Sequence, residues 1–158
     1  MWDPPTASQP GAFAFRMYRN YDGAGGQFGD VSVSATSTDQ DKLAIYAAQR
    51  SAGGAVTIMV INKTSGTLNS AVQVDGFSGA GSAQVYRYDA SDLGMIQHLS
   101  DVAVSATGFA AMFPANSITL LKIGAAGQTG GTSTPAPLPT TTQQPSQNTH
   151  QPNTHTHA

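Results

Sequence analysis

The segment AVTIMVIN, residues 55–62, is almost continuously apolar, with Ser51-Ala52-Gly53-Gly54 before it and Asn62-Lys63-Thr64-Ser65-Gly66 closing it as turn signals. A short apolar run bounded in this way is expected to be a central strand covered on both faces. That requirement constrains the fold more than any other feature, because the remaining chain must supply both covers. Around it the pattern has period two. Val31 and Val33 alternate with serines, and Leu43, Ile45 and Ala47 alternate with Ala44, Tyr46 and Ala48. Further strands fit residues 69–74, 83–88, 95–99, 108–113 and 117–123. Strands at roughly 8–12-residue spacing, separated by turn residues, predict an all-β chain folded as an antiparallel β-sandwich. The order of the strands is not written in the sequence.

Upstream the period changes. Pro10 suits the first turn of a short N-terminal α-helix, and Gly23 closes it after Tyr21. Phe13, Met17 and Tyr21 fall at i, i+4 and i+8, Ala14 and Tyr18 widen the stripe, and Arg16, Arg19 and Asn20 lie off it. Three turns are marginal alone in water, so the stripe needs a partner surface. The glycine-rich loop 22–30, ending in Phe28-Gly29-Asp30, then breaks the pattern. A helix, a loop and a sheet in this order are expected where one module hands over to the next, with Phe13, Met17, Tyr18, Tyr21 and Phe28 in the junction.

All seven Lys and Arg and all nine acidic residues lie at or before Lys122. Residues 123–158 hold no charge, five of the nine prolines and three of the four histidines. Such a segment buries too little apolar surface to offset the entropy of ordering, so 124–158 reads as a disordered Pro/Thr/Gln-rich linker. A net charge of −2 with scattered signs points to no nucleic-acid partner, and the lack of a basic cluster to no membrane surface. No apolar run is long enough to span a bilayer. The opening MWDPPTASQPG has neither the basic nor the apolar region of a signal peptide. With no cysteine, disulfides, thiol nucleophiles and cysteine-held metals are excluded. Every acidic residue is an aspartate.

Five stretches carry a family likeness: AFRMYRNYDG at 14–23, FGD at 28–30, STDQDKLAIYAAQRS at 37–51, VINKTSG at 60–66 and FPANSITLLKI at 113–123. Together they resemble the C-terminal part of glycoside hydrolase family 44, the β-1,4-glucanases, some of which also act on xyloglucan or xylan. The resemblance implies a parent in which a (β/α)8 barrel carries the chemistry and an accessory β-sandwich packs beside it. It implies three parts here: 1–22 as the end of the barrel, its last connection and helix; 23–123 as the sandwich; and 124–158 as the linker. The partner it implies is the barrel of the same enzyme, with β-glucan polysaccharide as a further one, and the location is extracellular.

Retaining glycosidases need two carboxylates flanking the scissile bond, and in this family both are glutamates on barrel strands. With no Glu, no catalytic residue is assigned and the chain is not expected to act alone, whatever its parent does. Asp39 and Asp41, the one close pair, read as turn residues. Asp22 and Asp30 flank the loop in positions that suit turns or caps better than calcium. His98 reads as an edge or surface position, and no G-x-S-x-G elbow presents a serine. His150, His155 and His157 read as incidental composition of the tail, so no metal or other cofactor is expected. Asn62-Lys63-Thr64 matches an N-glycosylation acceptor.

Sugar binding needs exposed aromatic platforms. Trp2, Tyr86 and Tyr88 are the candidates for carbohydrate contact, the two tyrosines sharing one strand face with Gln84; Tyr18, Tyr21, Phe28 and Tyr46 are also available. The expected function is a non-catalytic module that packs against a barrel and stabilises it. The alternative is an autonomous carbohydrate-binding module, and a third reading is a surface β-domain on a flexible stalk. If the helix has lost a barrel, Phe13, Met17 and Tyr21 are expected to expose an apolar patch.

Overall fold

The computed structural model describes residues 4–76 and 81–124. Among them are one helix, α1 (Pro10–Arg19), and eight strands: β1 (Val31–Val33), β2 (Leu43–Gln49), β3 (Val56–Asn62), β4 (Leu68–Gln73), β5 (Gly81–Tyr88), β6 (Gln97–Val104), β7 (Gly108–Phe113) and β8 (Ser117–Ile123). Six strands form one sheet in the order β1-β2-β3-β8-β5-β6, and β4 and β7 form a second. All neighbours run antiparallel. This is the expected all-β sandwich, with an unequal division of six strands against two.

The run at 55–62 is central, as its composition demands. β3 pairs with β2 on one side and β8 on the other, and side chains on both its faces are buried. On the inner face Ile58 and Val60 meet Val85, Leu121 and Ile123 of the large sheet and Val72, Phe109 and Phe113 of the small one. On the outer face two rows cross the sheet: Met59 opposite Leu120 opposite Tyr86, and Ile61 opposite Ile118 opposite Tyr88. Phe13, Met17 and Tyr21 close over these rows. Each such large apolar side chain, fully buried, contributes roughly 1.5–3 kcal/mol. One cover is therefore β4–β7 and the other is α1.

The helix is shorter than its stripe. Pro10 stands in its first turn, and Gln9 caps it without a side-chain bond. It ends at Arg19, where the Asn20 amide donates to the Arg16 carbonyl at 2.7 Å and two arginines in the last turn complement the helix dipole. Tyr21 leaves the helix because the glycine loop folds back: Tyr21 N–H donates to the Gly26 carbonyl at 3.1 Å, and Phe28 N–H to the Tyr18 carbonyl at 2.9 Å. Tyr21 still lands on the same sheet face.

The sixth strand is displaced from the expected 95–99. Asp89 accepts the Ser91 amide at 2.8 Å, Asp92 the Gly94 amide at 2.8 Å, and the Tyr88 hydroxyl donates to the Leu93 carbonyl at 3.1 Å. These bonds keep Met95 in a turn, and pairing with β5 starts at Gln97. Beyond it, Leu99, Val102 and Val104 reach the inner core across an irregularity opposite Ala83 and Val85.

Candidate functional site

Carboxylates come first, since hydrolysis would need them. Asp22 Oδ1 accepts the amides of Ala24 (2.8 Å) and Gly26 (2.7 Å). Partial burial pushes its pKa up, but those amide bonds prevail and hold it below the ordinary carboxylate value. Asp30 accepts both the amide and the hydroxyl of Ser51, which lowers its pKa. Asp39 is held by the Lys42 ammonium at 2.9 Å, its pKa lowered chiefly by that bond, and it also accepts the amides of Asp41 and Lys42. All three carboxylates are spent on turns. Among the described residues no three His, Cys, Asp or Glu side chains gather as metal ligands.

The aromatic residues part company. Tyr86 and Tyr88 are each only 7% exposed. Phe13 stacks on Tyr88, and Tyr21 tilts against Tyr86 at 4.8 Å between centroids. The two rings expected to meet sugar are instead the floor on which α1 rests, because their strand face is the one the helix covers. His98, exposed on β6, lies flat against Tyr86 at 4.6 Å. Trp2 lies outside the described residues, as do His150, His155, His157 and the linker from residue 125 on.

Of the junction residues, Phe13, Met17 and Tyr21 are at most 4% exposed. The expected apolar patch on them is therefore not there: the sheet of the same chain buries them. Arg16 sits over the Phe13 ring at 4.8 Å. Tyr18 meets Phe28 edge to face at 5.4 Å and remains partly exposed. On the helix face opposite Phe13 and Met17, Phe15 is 58% exposed.

Two polar residues act where sequence pattern had no hold. Asn62, 1% exposed, donates its amide to the carbonyls of Gly66 (2.8 Å), Phe113 (2.9 Å) and Pro114 (2.8 Å). Its Oδ1 accepts the Thr64 amide and hydroxyl. The acceptor sequence is thus a buried clasp between the β3 turn and the β7–β8 connection, with no room for a glycan on the folded chain. Arg87 donates to Thr119 Oγ1 (3.2 Å) and to the Met112 carbonyl (2.9 Å), joining the two sheets; burial pushes its pKa down. A charged residue within an alternating strand would have been the sequence signal for this link.

Two open grooves lie on the outer face of the large sheet, the first beside the loop at 22–30 and the second against α1. One, of about 690 Å³, runs past Asp22, Arg50, Gln84, Asp101 and Lys122. The other, of about 520 Å³, lies between α1 and β1–β2 and includes Tyr18, Phe28 and Tyr46.

No family model matches the chain, and no curated protein does. Solved structures do. The chain is similar to CelM2, a bifunctional glucanase-xylanase protein from a metagenome library, with 41% identity, TM-score 0.73, and coverage of 78% of this chain and 24% of that one. It is similar to a glycoside hydrolase family 44 endoglucanase produced by Clostridium acetobutylium ATCC 824, with 26% identity, TM-score 0.71, and coverage of 78% and 25%. A Paenibacillus polymyxa xyloglucanase of the same family shares the fold at 23% identity, TM-score 0.67, with coverage of 73% and 23%. The chain spans about a quarter of the length of these structures. It is similar to a partial, C-terminal region of a family 44 enzyme, as its motifs indicated.

Proposed function

We propose that this chain is the non-catalytic C-terminal β-sandwich of a secreted family 44-type β-1,4-glucanase, acting in polysaccharide degradation by packing against a (β/α)8 barrel and stabilising it. In this reading 1–22 ends the barrel, 23–123 is the supporting sandwich and 124–158 is a linker. The observation that carries it is the two-sidedness of α1. Phe13 and Met17 are sealed on the sandwich, while Phe15 points the other way at 58% exposure, beside the small residues Gly11 and Ala12. A helix apolar on opposite sides suits a position between two layers. Two further observations support the reading: the sequence holds no Glu, and Asp22, three residues past the end of α1, is occupied by the amides of Ala24 and Gly26.

Two measurements test it. Incubated with carboxymethylcellulose or xyloglucan, the chain is expected to release no reducing sugar; turnover overturns the non-catalytic role. Added in trans to a family 44 barrel lacking its own sandwich, it is expected to raise the barrel's unfolding temperature, and Phe15→Asp to abolish the rise. A barrel equally stable with and without it overturns the supporting role.

A further inference from the structure

We infer that the groove between α1 and the first two strands binds a neutral sugar ring of a β-linked glucan, stacking it on Tyr46 and Tyr18. Tyr46 stands in the middle of β2 on the outer sheet face, directly opposite Met59 of β3. Met59 is wholly covered by α1, whereas Tyr46 is 48% exposed. Its neighbours on that face, Ala44 and Ala48, are small and buried, so the ring rises from a low floor. Gly29 keeps that floor low: a Cβ there would lie 2.6 Å from the Ala48 backbone, and the Gly29 amide is tied to Thr57 Oγ1 at 2.9 Å.

Tyr18 forms the opposite wall. It is 39% exposed, and the edge-to-face contact with Phe28 holds the ring in one setting. The Phe28 amide bonded to the Tyr18 carbonyl fixes the backbone beneath. An aromatic wall held by packing is a prepared surface, with less ordering entropy left to lose on binding.

The chemistry of the lining selects the ligand. Asp30 is the one ionic group among the lining residues, and Ser51 occupies its carboxylate. The remaining polar groups are the hydroxyls of the tyrosines and of the exposed Ser32 and Ser34. An anionic ligand finds no cationic group here, the one carboxylate is already bonded to Ser51, and an apolar protein surface would bury those hydroxyls without partners. A pyranose ring offers what the groove lacks: an apolar C–H face for the rings and a hydroxyl edge for the serines. Phe15, on which the barrel contact rests, is no part of the groove, so the two proposals fail separately.

Affinity electrophoresis of the whole chain in native gels containing xyloglucan, hydroxyethylcellulose or a mixed-linkage β-glucan tests the inference. The chain is expected to be retarded by at least one of the three. Tyr46→Ala is expected to weaken binding about tenfold, which corresponds to about 1.4 kcal/mol. Tyr18→Ala is expected to weaken it in the same direction, while Tyr46→Trp and Phe15→Ala keep it. Unchanged circular dichroism and unfolding midpoints for Tyr46→Ala separate lost stacking from lost folding. Migration of the parent chain unaltered by all three glucans overturns the proposal, as does full retardation of a folded Tyr46→Ala variant. Binding of the barrel that is lost on Tyr46→Ala, without any glucan retardation, reassigns the groove to the protein interface and overturns it equally.

Discussion

Phe13 of α1 lies almost parallel on Tyr88 of β5, with ring centroids 4.9 Å apart and planes inclined by 11°. This contact is the hinge of the structure's functional reading. It joins the N-terminal segment, proposed above to end a barrel, to the sandwich, and it removes from the surface a ring that sequence alternation alone would offer to sugar. With Met17 over Met59 and Leu120 in the same cluster, it makes α1 part of the β-domain's own core.

Phe13→Ala is therefore expected to destabilise the chain by about 3 kcal/mol, through lost burial and the cavity left over Tyr88. Phe15→Ala, on the exposed face, is expected to stay within about 0.5 kcal/mol. Urea unfolding followed by circular dichroism compares them. Equal effects would show that α1 does not rest on the sheet as described.

Asn62→Ala removes the amide shared by the carbonyls of Gly66, Phe113 and Pro114. Buried carbonyls left without a donor cost about 1–3 kcal/mol each, so a loss of about 2 kcal/mol or more is expected in urea unfolding. Thr64→Ala, which leaves the Asn62 amide in place, is expected to cost less.

Gly108 adopts φ of 122°, and a Cβ there would lie 2.0 Å from the Val72 carbonyl oxygen on β4. Gly108→Ala is expected to cost more than about 2 kcal/mol, from backbone strain and the forced separation of β4 from β7. At Gly66 a Cβ meets nothing within 4 Å, so Gly66→Ala is expected to be neutral or slightly stabilising, by up to about 1 kcal/mol. Thermal unfolding of the two variants side by side checks this.

Acid should weaken the loop at 22–30. Asp22 and Asp30 both have folded-state pKa values below the ordinary 3.8. Their stabilising contribution is therefore complete above that value and is lost as pH falls through the folded values. The urea midpoint is expected to decline as pH falls below the ordinary carboxylate value of 3.8, and Asp22→Asn to make the decline shallower. An identical decline in the variant would remove Asp22 from this account.

Much of the molecule was legible before any coordinates. Gly and Pro punctuation with period-two alternation located the strands, because those signals act within a few residues. The stripe Phe13-Met17-Tyr21 announced a covered helix face for the same reason. Met95 was misread because side-chain caps by Asp89 and Asp92, not hydropathy, decide where β6 begins. The roles of buried Asn62 and half-buried Arg87 depend on acceptors contributed by distant segments, which local pattern cannot register.

The sequence by itself determined that this chain is a β-sandwich built round one doubly covered strand, and that it brings no glutamate to hydrolysis. Only the tertiary structure decided which tyrosines meet solvent. Alternation puts Tyr46, Tyr86 and Tyr88 equally on a strand face. The order β2-β3-β8-β5 sets where α1 comes to rest, and so buries the last two and leaves Tyr46 beside an open groove. That choice rests on pairing between segments far apart in the chain, and no local periodicity encodes it.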